Sequence, residues 1–102
     1  MRIVYLRSAR HDLETIHSHM AAGDPSAANR LIDAIRDAVT RLVIFPRRAP
    51  EWYAGVRKLS VKGYAIIYRI TDDRIEIGRV LHLRRDLDAL RIDLWATGDL
   101  LP

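Results

Sequence analysis

Residues 64–85, YAIIYRITDDRIEIGRVLHLRR, constrain this chain more than any other stretch. They alternate with the period of a pleated strand on both sides of a polar corner. Tyr64, Ile66, Tyr68 and Ile70 share one parity, with Ala65, Ile67 and Arg69 between them. Beyond Asp72-Asp73, Ile75, Ile77, Arg79 and Leu81 alternate with Glu76, Gly78 and Val80. Asp tolerates left-handed backbone, so the spacing predicts a hairpin closed by a two-residue loop. In that register Arg69 faces Glu76, Tyr68 faces Ile77 and Ile70 faces Ile75, and opposed residues share a face. One face is then largely apolar. The other carries Arg69 and Glu76, with Arg57 or Lys58 and His82 nearby if the sheet continues. A loop one residue longer would shift the pairing.

The rest of the chain is read against this hairpin. Residues 2–6, rich in Ile, Val and Tyr, form a first strand. Ser8 is the N-cap of a helix over 9–22, whose stripe is Ala9, Leu13, Ile16 and Met20. Gly23 stops it, and Asp24 caps a second helix with Pro25 at its first position. That helix runs to about residue 44. Ala28, Leu31, Ile32, Ile35, Val39 and Leu42 line one side, and Arg30, Asp33, Arg36, Asp37 and Arg41 form a solvated face. Pro46 ends it. Residues 47–55 read as a connecting loop. In it Trp52-Tyr53 serve either as a binding platform or, as preferred here, as a cover over one edge of the core. A strand over 56–61 and a turn at Lys62-Gly63 lead into the hairpin. The expected fold is α+β, in the order β-α-α-β-β-β. A helical hairpin packs on one face of a small, mainly antiparallel sheet.

At 102 residues and 49% hydrophobic composition, one packed domain is expected. The apolar runs are far short of a membrane span. The strand-like, charged residues 1–7 do not resemble a signal peptide, and with no cysteine a cytoplasmic location is expected. The net charge of +4 rests almost wholly on arginine, since Lys58 and Lys62 are the only lysines. Arginine makes bidentate contacts with phosphate or carboxylate, so nucleic acid and acidic protein surfaces are the two partner classes. Residues 91–102 are a tail beyond a domain spanning 1–90. Leu87, Leu90, Ile92, Leu94 and Trp95 fit a short amphipathic helix that docks on the domain or on a partner.

No Gly-rich phosphate loop, zinc-type Cys/His spacing or serine nucleophile elbow is present. His11, His17 and His19 are spaced by six and two, which does not stack them on one helical face. No metal or other cofactor is therefore expected. The candidate chemistry lies in Arg57, Lys58, Arg69, Arg79, His82, Arg84 and Arg85, which strand geometry brings largely to one end of the sheet. Metal-free RNA cleavage needs a base for the 2′-hydroxyl, cations for the pentacoordinate phosphate and an acid for the leaving oxygen. The arginines can supply the cations, and His82 the acid or base. The plainer reading, preferred on charge pattern, pairs Arg69 with Glu76 and leaves the others solvated.

The helix-two ending LVIFPRRAP followed by VRKLSVKGYAIIYRITDDRIEIGRVLHLRRD, set in this element order, resembles the RelE/ParE superfamily of type II toxins over roughly residues 2–90. The resemblance rests on the joint occurrence of the Pro46–Pro50 loop, Arg57-x-Leu59, Tyr64-x-Ile66-x-Tyr68-Arg69 and Val80-Leu81-His82-x-x-Arg85-Asp86. It implies a toxin neutralised in a hetero-oligomer by a cognate antitoxin, the complex repressing its own operon, so that operator DNA is met only through that complex. An acidic, partly disordered antitoxin segment is expected. Leu13, Met20, Leu87, Leu94 and Trp95 are the expected antitoxin contacts. RelE-like members cleave mRNA in the ribosome, usually with a tyrosine near the C-terminal end, whereas ParE-like members poison DNA gyrase. No tyrosine follows Tyr68, and His82-x-x-Arg85-Asp86 resembles the ParE side. The expectation is a gyrase-directed toxin of the plasmid-stabilisation kind, contacting its target through Arg57, Arg69, Arg79, Arg84 and Arg85. The alternative is an mRNA interferase using Arg57, Arg69, His82 and Arg85.

Overall fold

The expected hairpin is the centre of a five-stranded sheet in the computed structural model, which describes residues 1–85. The elements are β1 (Arg2–Tyr5), α1 (Arg7–Ala21), α2 (Pro25–Arg41), β2 (Glu51–Tyr53), β3 (Val56–Val61), β4 (Tyr64–Ile70) and β5 (Arg74–His82). Strand order is β1-β5-β4-β3-β2, with β1 parallel to β5 and the other pairs antiparallel. The α+β class and the helical hairpin on a mainly antiparallel sheet are as expected. The readings for 86–102, including the tail helix and the domain boundary after residue 90, lie outside the described residues.

The β4–β5 register near the loop follows the sequence: Ile70 opposes Ile75, Arg69 opposes Glu76 and Tyr68 opposes Ile77. Then the register shifts. Ile67 opposes Arg79, so β5 carries one extra residue, Gly78. A bulge of one residue reverses the side on which every later residue points. Val80 therefore joins Ile75 and Ile77 in the helix-covered core, and Leu81 packs in a smaller cluster with Ala65 and Ile67. Simple alternation had placed Leu81 with Ile77. His82 also changes sides, opposing Tyr64 on the face that carries Ile66 and Tyr68.

Both faces of the sheet thus bury apolar groups. The main core joins Leu13, Ile35, Val39 and Leu42 of the helical layer to Leu59, Ile66, Tyr68, Ile75, Ile77 and Val80 of the sheet. The second cluster contains Leu6, Val56, Ala65, Ile67 and Leu81, flanked by Val4, Trp52 and Tyr53. Each fully buried Leu or Ile contributes about 1.5–3 kcal/mol relative to exposure.

Local boundaries differ from the sequence reading for physical reasons. Leu6 N–H donates to Ile77 O at 2.9 Å, the last ladder bond of β1, and Leu6 is itself the N-cap, without a side-chain cap. Ser8 is therefore inside α1. Asp24 caps α2 as expected, its Oδ1 accepting from Ala27 N–H at 3.0 Å. Regular helix ends at Arg41, and residues 42–44 continue as turns bonded i to i−3. The segment 47–55 is not all loop. Residues 51–53 pair with β3 as a short edge strand, and positive φ at Ala54 and Gly55 makes the tight turn between them. Trp52 and Tyr53 meet edge to face at 4.9 Å, and the Lys58 ammonium lies 4.9 Å from the Trp52 ring centre. They cover the core edge, in agreement with the preferred reading.

Candidate functional site

β3, β4 and β5 carry most of the cations singled out in the sequence, but the sheet separates them. Arg57 opposes Tyr68, while His82 opposes Tyr64 at the other end of β4. Arg69 and His82 are offset by five residues along that strand, roughly 16 Å at a rise of about 3.3 Å per residue. A single cluster at one end is not what the register produces.

Three of these arginines are engaged inside the protein. Arg57 Nη1 donates to Ala49 O at 2.6 Å. Arg69 Nε donates to Glu76 Oε1 at 2.6 Å, the cross-strand pair expected from the sequence, and Arg74 Nη2 reaches Glu76 Oε2 at 2.6 Å. Arg79 grips Asp12 of α1 with Nε and Nη2 at 2.8 and 3.1 Å. Asp12 Oδ2 also accepts from Val80 N–H at 2.9 Å. The bulge puts this N–H within reach of α1. Asp12 escaped the sequence reading because a lone aspartate on a helix gives no sign of a strand partner 67 residues away.

At the other end of the sheet, His82 is exposed, as are Arg84 and Arg85. The His82 ring meets Tyr64 edge-on at 5.1 Å, and its Nδ1 accepts from Arg84 N–H at 3.1 Å. That bond leaves Nε2 as the ring nitrogen for any proton transfer. Between α1 and this end lies a groove of about 750 Å³, lined among the described residues by Ile16, Met20, Tyr64, Val80, His82 and Arg85, among others. Met20 therefore sits where a partner segment can reach it. Leu13 is only 4% exposed and packs into the core, so the sheet takes the surface that the sequence reading offered to an antitoxin. Leu87, Leu94 and Trp95 lie outside the described residues.

Tyr68 is fully buried, with its hydroxyl donating to Pro46 O at 2.9 Å. Burial raises its pKa above the ordinary 10.0. Glu76, 3% exposed, shows the opposite balance. Burial opposes its ionisation, but hydrogen bonds and charge from Arg69 and Arg74 outweigh that, and its pKa falls below the ordinary 4.5. A lowered folded-state pKa gives stability that is present above the unfolded value and lost as pH falls through the folded one. Urea midpoints of the wild type should therefore drop between neutral and about pH 3, and part of that drop should be absent in Glu76→Gln. Equal acid slopes in the two proteins would refute the assignment. At neutral pH the substitution should cost about 1–3 kcal/mol, moderated by the solvent reach of both arginines.

The architecture is a small two-layer α+β fold, a helical pair laid on a sheet whose edge strand β1 runs parallel to β5. The family model for the ParE toxin of the type II toxin-antitoxin system, parDE, matches residues 3–87. The chain belongs to this ParE toxin family and is the toxin component of a type II toxin–antitoxin pair. A chain of the chromosomal ParDE toxin–antitoxin system from P. aeruginosa is similar at TM-score 0.71 and 25% identity, over 80% of this chain and 95% of that one. A chain of the toxin–antitoxin complex RelBE2 from Mycobacterium tuberculosis shares the fold at TM-score 0.62 and 24% identity, over 79% and 95%. No curated protein sequence matches. Among the described residues, no helix is long and apolar enough to cross a membrane.

Proposed function

We propose that this toxin stops growth by binding DNA gyrase in the cytoplasm, without cleaving RNA, and that an acidic antitoxin segment neutralises it. The observation that carries this reading is the internal engagement of Arg57 and Arg69, two of the four residues of the interferase alternative, at the opposite end of β4 from the exposed His82 and Arg85. Arg57 is held by Ala49 O, Arg69 by Glu76 and Arg79 by Asp12. Tyr68 has its hydroxyl on Pro46 O in the core. A phosphoryl-transfer site needs cations aimed at one reacting phosphate, and these point to separate partners. Arg84 and Arg85 remain exposed for contact with a macromolecule. The groove beside them fits an extended acidic segment with apolar side chains, which would cover Arg85 while it is bound.

The test is to induce the chain in a host without antitoxin and to assay the purified protein. Inhibited supercoiling by gyrase, with an SOS response and filamentation, supports the proposal. Rapid loss of translation with mRNA cut at ribosomal A sites, and supercoiling unaffected, would establish the interferase alternative instead.

A further inference from the structure

The turn after α2 projects three consecutive large apolar side chains: Val43 is 43% exposed, Ile44 71% and Phe45 64%. Arg41, Arg47 and Arg48 surround them, all exposed and none in an ion pair among the described residues. Between residues 41 and 50 there is no acidic side chain. Such a combination is costly to leave in water unless something covers it.

The segment is also held rigid. Ile44 and Phe45 N–H both bond to Arg41 O at 3.1 Å, and Arg48 N–H bonds to Phe45 O at 3.1 Å. Leu42 and Ala49 anchor the flanks in the core. Two side chains from the sheet then fasten the backbone: Tyr68 through Pro46 O and Arg57 through Ala49 O. An apolar knob on a fixed backbone loses little entropy on docking.

We infer that this arginine-rimmed knob, residues 41–48, is a gyrase-docking surface that inserts into an apolar cleft bordered by carboxylates. The inference rests on the proposal that gyrase is the target. Shape separates the two expected partners. A disordered segment that folds on binding needs a groove to lie in, and the fold provides one between α1 and β5. A convex, preformed knob suits a folded partner with a concavity. Charge decides the rest: three unpaired guanidiniums fit an acidic rim. Nucleic acid would leave Val43 and Ile44 without an apolar surface to bury against. Three apolar side chains on a turn also fall short of the amphipathic helix that holds a protein on a lipid surface.

The experiment compares wild type with Ile44→Ser/Phe45→Ser and with Arg47→Glu/Arg48→Glu. Binding to reconstituted gyrase, inhibition of supercoiling, antitoxin affinity and thermal midpoint are measured for each. Because the altered side chains are exposed, the midpoints should stay near that of wild type. The first variant should need at least about tenfold more toxin for half-inhibition, as for loss of a buried apolar anchor. The second should associate more slowly and lose the salt dependence of association. Antitoxin affinity should change by less than about threefold in the first variant. Full gyrase inhibition by Ile44→Ser/Phe45→Ser would overturn this inference and leave the gyrase proposal standing. A wild type that does not bind gyrase would end both. Loss of antitoxin binding with gyrase inhibition intact would overturn the inference by assigning the knob to the antitoxin. So would wild-type adhesion to anionic phosphatidylglycerol vesicles that the first variant loses while still inhibiting gyrase.

Discussion

Asp12→Ala is expected to destabilise the fold by about 3 kcal/mol, the lower part of the range for breaking a buried ion pair. The Asp12 side chain is 11% exposed and that of Arg79 is 23% exposed. Three donors converge on the carboxylate, two from the guanidinium and one from Val80 N–H. Alanine removes the acceptor of all three, and Val80, 1% exposed in the wild type, relies on that carboxylate for its N–H. Asp12→Asn separates the contributions. Its amide oxygen can keep the bonds made by Oδ2, to Arg79 Nε and Val80 N–H, but its NH₂ then points at Arg79 Nη2, donor against donor. A loss of about 1–2 kcal/mol is expected, intermediate between wild type and alanine. Arg79→Ala completes a double-mutant cycle, whose coupling should be about 1–3 kcal/mol. Urea unfolding measures each value, with an unchanged denaturant slope as the sign that only stability has moved. An Asp12→Ala midpoint indistinguishable from wild type would show that the pair contributes nothing.

That contact also shows where the sequence stopped being legible. Period-two alternation set the hairpin register correctly from Ile70–Ile75 to Tyr68–Ile77, because apolar pairs at a tight loop leave few alternatives. It failed at Gly78, where β5 takes one extra residue and Val80 and Leu81 exchange faces. A glycine inside a strand is a known mark of a bulge, so the signal was present, but nothing local says on which side of it the register moves. The edge strand Glu51–Tyr53 was hidden by Pro46, Pro50 and Gly55, which read as loop residues. Pairing with β3 overrode that local preference. The helices were legible because their stripes repeat over many residues and Asp24-Pro25 is a strong start signal. The arginines were the least legible. Their number was evident, but whether a guanidinium serves a partner or the fold depends on acceptors far away in the chain. Ala49 O, Glu76 and Asp12 each hold one. The same limit applies to Ile44, which the sequence reading placed at the end of the helix but which emerges, with Phe45, on a turn in solvent.

Tyr68→Ala is expected to cost about 4 kcal/mol, the magnitude of a large aromatic removed from a core. Tyr68→Phe is expected to cost only about 1 kcal/mol, the net worth of one hydrogen bond. Tyr68 is fully buried at the middle of the sheet, among Leu59, Ile66, Ile77 and the helical layer. Its ring fills the core, and its hydroxyl fixes Pro46 O. The pH dependence has a definite sign. A tyrosine whose folded-state pKa is raised contributes stability that is present below the ordinary 10.0 and lost as pH rises through the folded value. Tyr5, half-buried and raised by burial against the opposing charge of Arg36, acts in the same direction. The alkaline fall in stability should therefore shrink in Tyr68→Phe without vanishing. Toxicity provides the second measurement. If Tyr68 serves the fold, Tyr68→Phe should inhibit growth and gyrase as wild type does, while Tyr68→Ala loses both only in proportion to the protein it leaves unfolded. If its hydroxyl instead moved a proton in RNA cleavage, Tyr68→Phe would fold normally and be inactive, and that outcome would move the protein from gyrase binding to nuclease chemistry.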